Sequence, residues 1–222
     1  MPIIEDSILV EAARSYKVNP AKAFARMIHY CAMDGFDAHQ DIIKKAFDSD
    51  NQTGSRMLVE TYTEYLILYM HLITRKIDEI YGPENISKIQ NLLLPSIAEN
   101  ALSYYEGDVK FMTQTIMTIA NDRERDYAKC KYWLPAKPDY SMRDMSSTQY
   151  VFQSKLESIL SKKHNDPFIK MRIMTGCLKG LTSFFAYLNL DEWLKGLAMT
   201  LEIASYESVD LAPPGIKPLQ HK

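Results

Sequence analysis

The chain is short of the residues from which metal centres, disulfide frameworks and phosphate loops are built. Its 222 residues include only three cysteines, Cys31, Cys130 and Cys177, widely spaced and odd in number. They make neither a disulfide framework nor a metal knuckle. Each falls on an apolar helical face, where a thiol behaves as a small hydrophobe. There is no Cys-x-x-Cys, no His-Glu-x-x-His, no glycine-rich phosphate loop and no Gly-x-Ser-x-Gly. None of the five histidines has an acidic residue three places before it: Arg26, Phe36, Leu68, Ser161 and Pro218 stand there. That excludes the Glu-x-x-His pairs of a di-iron carboxylate bundle. No metal and no cofactor is expected, and no catalytic residue is nominated.

Charge of one sign is also missing. The formal net charge is −2, so no long-range field favours nucleic acid or an anionic membrane. Three short helices near the N-terminus invite comparison with a helix-turn-helix. Residues 1–50 carry six Lys/Arg against eight Asp/Glu, however, the wrong balance for phosphate contacts. The apolar run Tyr65 to Ile73, with His71 inside it, is far too short to cross a bilayer. Glu5 and Asp6 stand where a secretory signal would carry basic residues. Together these lead to the expectation of a cytoplasmic protein with neither nucleic-acid nor membrane partners.

Helical periodicity is present almost everywhere. Asn19-Pro20 supplies an N-cap followed by proline at the first helical position. The helix it opens carries Ala23, Phe24, Met27, Ile28 and Cys31 at three-four spacing and is expected to stop at Gly35. A first helix is read over about 6–16 and a third over about 38–47, with DSDNQTG as a loop by composition. Pro95 must kink its helix or start a new one. Asp108 opens a helix whose apolar series runs to Leu134, with Arg123 its one charged member. Ser147 and Asp166-Pro167 are further starts, and a last helix spans about 191–206. Gly176 and Gly180 lie four apart on one face at a propensity cost of about 1 kcal/mol each, which implies that another backbone, or less often a ligand, comes close. The reading is an all-α, multi-helix bundle of about nine helices. Residues 1–206 form a single helical domain with a candidate subdomain break near 135–146, and 207–222 form an extended or disordered proline-rich tail.

The bundle is expected to be organised around one long helix over 55–81. Leu58, Tyr62, Tyr65, Leu66, Tyr69, Leu72, Ile73 and Ile80 share its broad apolar face. Opposite them Glu60, Glu64, His71, Arg75 and Asp78 form a narrow ionisable stripe, which either faces water or is buried and internally paired. Arg123 and Arg172 are candidate partners from neighbouring helices, although the polar run around Arg123 also suits a snorkelling side chain. Twelve methionines and 14 tyrosines either fill gaps and core edges, with the tyrosine hydroxyls wet, or line an adaptable pocket.

Three functional expectations follow. The leading one is a non-enzymatic helical module acting through protein–protein contact, with itself as a homodimer or with another protein. The alternative is a small-molecule-binding domain, with a Met/Tyr-lined cavity floored by Glu64, His71 and Arg75 and with Glu60 and Arg123 as further binding residues. The third is an enzyme using His71 with Glu64 as acid/base pair.

Overall fold

In a computed structural model, residues 15, 18–49, 51–101, 109–130, 147–161 and 167–202 are described. Among them run eight α-helices and one short 3-10 turn, Pro83–Asn85. They are α1 (Pro20–Asp37), α2 (Gln40–Ser49), α3 (Asn51–Tyr81), α4 (Ile86–Ala101), α5 (Val109–Tyr127), α6 (Thr148–Leu160), α7 (Ile169–Tyr187) and α8 (Leu190–Thr200). The expected first helix, the 135–146 break and the 207–222 tail lie outside the described residues. No described helix is long and apolar enough to cross a membrane.

The long helix is the axis of the bundle. Every residue from Thr61 to Ile73 is buried, over the whole circumference of α3. Its neighbours are α1, α2, α4, α5, α6 and α8, and the tyrosines of its apolar face reach α7 as well. A helix of 31 residues, about 46 Å long, thus collects contacts along most of its length. Helix α1 is a second hub, packed on α3, α4, α7 and α8.

Two starts form as their side chains dictate. The Lys22 amide donates to Asn19 Oδ1 at 2.9 Å, and the Tyr150 amide donates to Ser147 Oγ at 3.2 Å. Several boundaries differ from the sequence reading. The described residues of DSDNQTG are helical: α2 runs through Ser49 and α3 begins at Asn51, with Asp50 between them outside the described residues. The first-turn amides of a helix have no intrahelical acceptor, so polar residues there need not signal a loop. Helix α1 passes Gly35 and ends at Asp37. Gly35 is a packing position, since a Cβ there would lie 2.5 Å from the Tyr65 ring. Pro95 sits inside a continuous α4, helix α5 ends at Tyr127, and α8 ends at Thr200. Pro167 lies in a turn before α7, whose N-cap position, Phe168, makes no side-chain cap bond. Gly82 carries φ +82° between α3 and the 3-10 turn, a conformation that glycine adopts without a Cβ penalty.

Three of the four tyrosines of α3 are not wet core edges; Tyr81, at its end, is half-buried. Tyr62, Tyr65 and Tyr69 are fully buried, and each hydroxyl has a partner on another helix or its adjoining turn. Tyr62 shares a 2.8 Å hydrogen bond with His29 Nδ1. The Tyr69 hydroxyl donates to the Gly180 carbonyl at 3.0 Å. Tyr65 bonds His39 Nε2 at 2.9 Å and reaches the Gly176 carbonyl at 3.3 Å. The ladder can exist because α7 has no side chains at these two positions. A Cβ on Gly176 would meet the His39 ring at 2.4 Å, and one on Gly180 would meet Gly35 Cα at 2.8 Å. The close backbone approach expected from the Gly176–Gly180 spacing is found at Gly180, against Gly35 of α1, whereas at Gly176 it is the His39 side chain that comes close.

Candidate functional site

The ionisable stripe of α3 divides into a buried middle and wet ends. Glu64 and His71 are each 4% exposed, while Arg75 and Asp78 are exposed and Glu60 is half-buried. Helix α5 covers the middle. Arg123 donates from Nε to both Glu64 oxygens at 2.9 and 3.1 Å, and from Nη2 to Oε1 as well. Such a fork-on-carboxylate geometry gives strong charge-assisted bonds. Arg123 is therefore an ion-pair partner of the stripe, and the snorkelling alternative is set aside. At the next residue of α5, Glu124 Oε2 bonds His71 Nδ1 at 2.7 Å, and the His71 ring lies 4.8 Å from that of Tyr127, one turn further on. His71 thus bonds Glu124 and not Glu64. Its Nε2 and the Tyr127 hydroxyl are buried without hydrogen-bond partners.

At the rim Glu60 pairs with Arg56 one turn earlier, an exposed i,i+4 contact at 2.6 Å that solvent screens. Of the five nominated residues, Glu64 and Arg123 are joined directly. His71 joins the same α3–α5 seam through Glu124. Glu60 is paired outside it, and Arg75 is in water. The buried carboxylate is held by its partner, and the arrangement ties α5 to α3.

A second polar cluster was not singled out by sequence. His39, in the turn between α1 and α2, is 1% exposed, and its Nδ1 has no hydrogen-bond partner. Burial pushes its pKa down to about 4, so the imidazole is neutral at pH 7. Asp34, near the end of α1, is buried too. Burial raises the Asp37 carboxyl pKa, with Asp34 contributing and Lys179 opposing. A cleft of about 390 Å³ opens here between the α1–α2 turn and α7, with His39, Asp37, Asp41, Arg172 and Lys179 among its walls. Burial likewise pushes up the Cys31 and Cys177 thiols, so neither is poised as a thiolate nucleophile.

The neutral histidine has a consequence for stability. An imidazole whose pKa falls from 6.5 to about 4 on folding binds protons more readily in the unfolded chain. Its contribution is complete above about pH 6.5 and is lost as the pH falls toward 4, roughly 3 kcal/mol in all. Denaturant titrations of wild type and His39→Phe should show a flatter pH slope for the variant across that window. Equal slopes would remove His39 from the acid response.

Helix α7 has two apolar faces. Ile169, Ile173, Cys177, Leu181 and Phe184 point inward and are buried. On its outer side Met171 is 55% exposed, Leu178 43% and Phe185 47%, and Phe168, in the turn before the helix, is 62% exposed. Thr175 and Thr182 fill the gaps between them and are exposed too. These six follow one another at spacings of three, four, three, four and three, the seam of a packed helix pair. The threonine hydroxyls are turned back: Thr175 Oγ1 donates to the Met171 carbonyl at 2.9 Å, and Thr182 Oγ1 to that of Leu178 at 2.8 Å. With the hydroxyls engaged in their own helix, the outer stripe is apolar along about 26 Å.

No family model matches the chain, and comparison with curated proteins and with solved structures finds no significant relative.

Proposed function

We propose that the protein is a helical interaction module, and that it engages its partner through the outer stripe of α7. The observation that supports this is the run of exposed positions Met171, Thr175, Leu178 and Thr182 at heptad spacing, on a helix whose other face is already buried. Large apolar side chains scattered singly over a surface need no explanation. Met171, Leu178 and Phe185 on one side of a single helix are not scattered singly, and an aligned apolar stripe is the usual mark of a contact surface. The α3–α5 polar seam serves this function indirectly, by fixing the bundle against which α7 is held.

The test is a comparison of what wild type and the Met171→Glu/Leu178→Glu variant bind, their own copies included. Both substitutions fall on exposed positions, so unfolding should shift by no more than about 0.5 kcal/mol while binding is lost. An unchanged set of binders would sink the proposal.

The small-molecule reading retains one observation in its favour, the His39 cleft with its unpartnered Nδ1. Its volume lies within the range of ligand sites. A ligand of this cleft should bind less tightly to Arg172→Ala, and unchanged affinity would place it elsewhere.

A further inference from the structure

Resting on the reading of the His39 cleft as a ligand site, we infer that its ligand carries a singly ionised phosphate group, free or as a monoester, with its O–H on His39 Nδ1 and its negative oxygens on the start of α2 and Arg172. The tautomer of His39 decides the first contact. A carbonyl oxygen only accepts hydrogen bonds, so the Tyr65 hydroxyl donates its single hydrogen to the Gly176 carbonyl at 3.3 Å. At its 2.9 Å contact with His39 Nε2 the same oxygen is the acceptor, and Nε2 carries the ring hydrogen. Burial holds the ring neutral, which leaves Nδ1 a bare lone pair. That atom is enclosed and has no hydrogen-bond partner. It looks toward Gly176, where a Cβ would lie 2.7 Å from it, and both residues line the cleft. A ligand atom that meets Nδ1 must bring a hydrogen.

The start of α2 decides the charge. The His39 carbonyl accepts from the Ile42 and Ile43 amides, while the Gln40 and Asp41 amides before them have no acceptor inside the helix. Gln40 and Asp41 both line the cleft. The N-terminus of a ten-residue helix favours negative charge, and Arg172 and Lys179 bring positive charge from α7. Asp37 and Asp41 oppose them, although the Asp41 side chain is 88% exposed and its charge is screened by water. That balance suits one negative charge better than two. A fully ionised oxyanion such as sulfate would also set lone pair against lone pair at Nδ1. The cleft, about 390 Å³, is larger than a phosphate ion, and Ile42 and Met171 in its walls give the carbon body of an ester an apolar surface.

Calorimetric titration of the purified full chain with inorganic phosphate, glycerol phosphate and sulfate, at equal ionic strength, tests the assignment. It is run at about pH 6, where the singly ionised phosphate is plentiful. Both phosphates should bind with a dissociation constant of about 1 mM or tighter, and the tighter of the two tells the free ion from an ester as the ligand. Sulfate should bind roughly 10-fold more weakly or not at all. Arg172→Ala should weaken phosphate roughly 10-fold with the denaturation midpoint unchanged. His39→Gln keeps an N–H for Tyr65 but loses the lone pair, and should erase the preference over sulfate. Equal affinity of wild type for sulfate would overturn the role of Nδ1, and phosphate affinity unchanged in Arg172→Ala would place the anion outside the cleft. Failure of both phosphates to bind would overturn the phosphate; the cleft itself would then stand only if a ligand of other chemistry is lost in Arg172→Ala.

Discussion

Arg123→Ala should cost about 3 kcal/mol of unfolding free energy, the low end of the range for removing one partner of a buried ion pair. The magnitude follows from what is left behind. Glu64 sits on a fully enclosed stretch of α3, with its side chain 5% exposed, and the guanidinium supplies every hydrogen bond described to its oxygens. Truncating Arg123 leaves a carboxylate in the interior with neither a counter-charge nor those donors. Arg123 is itself partly open to solvent, and water reaching the gap limits the loss. Replacing both partners, Arg123→Met with Glu64→Leu, should recover most of the deficit, because the pair as a whole is held at a desolvation cost. Chemical denaturation of the two single variants and the double variant measures the coupling directly. Additive losses would mean that the two side chains do not depend on one another.

Gly180→Ala should destabilise by roughly 2 kcal/mol, although alanine is the better helix former by about 1 kcal/mol. The added methyl would lie 2.8 Å from Gly35 Cα, a backbone atom, and 2.6 Å from the Tyr65 ring. Rings can swing and backbones cannot, so α7 would have to lift away from α1. That movement would also stretch the Tyr69 bond to the Gly180 carbonyl. A neutral or stabilised variant, judged by its denaturation midpoint, would show that α1 and α7 are not in backbone contact at this crossing.

How much of this was readable beforehand depended on whether a feature is local. The Asn19 and Ser147 starts are local hydrogen bonds between a side chain and an amide three residues on, and the residue types announce them. The central helix was legible because Tyr62, Leu66, Tyr69 and Ile73 recur at helical spacing. The close approach at Gly176 and Gly180 was legible from their spacing alone. Gly35 misled, since glycine ends helices and also admits neighbouring rings, and only the position of Tyr65 distinguishes the two. The stripe of α3 was visible as a stripe, but not its covering. Glu64 and Arg123 are 59 residues apart, and the polar run NDRERD resembles a solvated surface until α5 is laid on α3. His39 carried no signal at all, because its burial is created by Tyr65 and by the missing side chain of Gly176. The outer face of α7 was hidden by its inner one. FIKMRIMTGCLKGLTSFFAYL is apolar nearly all round, so periodicity alone does not separate two opposed apolar faces.

The most direct measurement is the oxidation rate of Met171 under brief hydroxyl-radical exposure of the isolated chain, followed peptide by peptide. Met171 should oxidise rapidly, while buried Met27 stays protected. Protection of Met171 in the isolated chain would mean that its own chain covers it and that the outer side of α7 is not open to a partner.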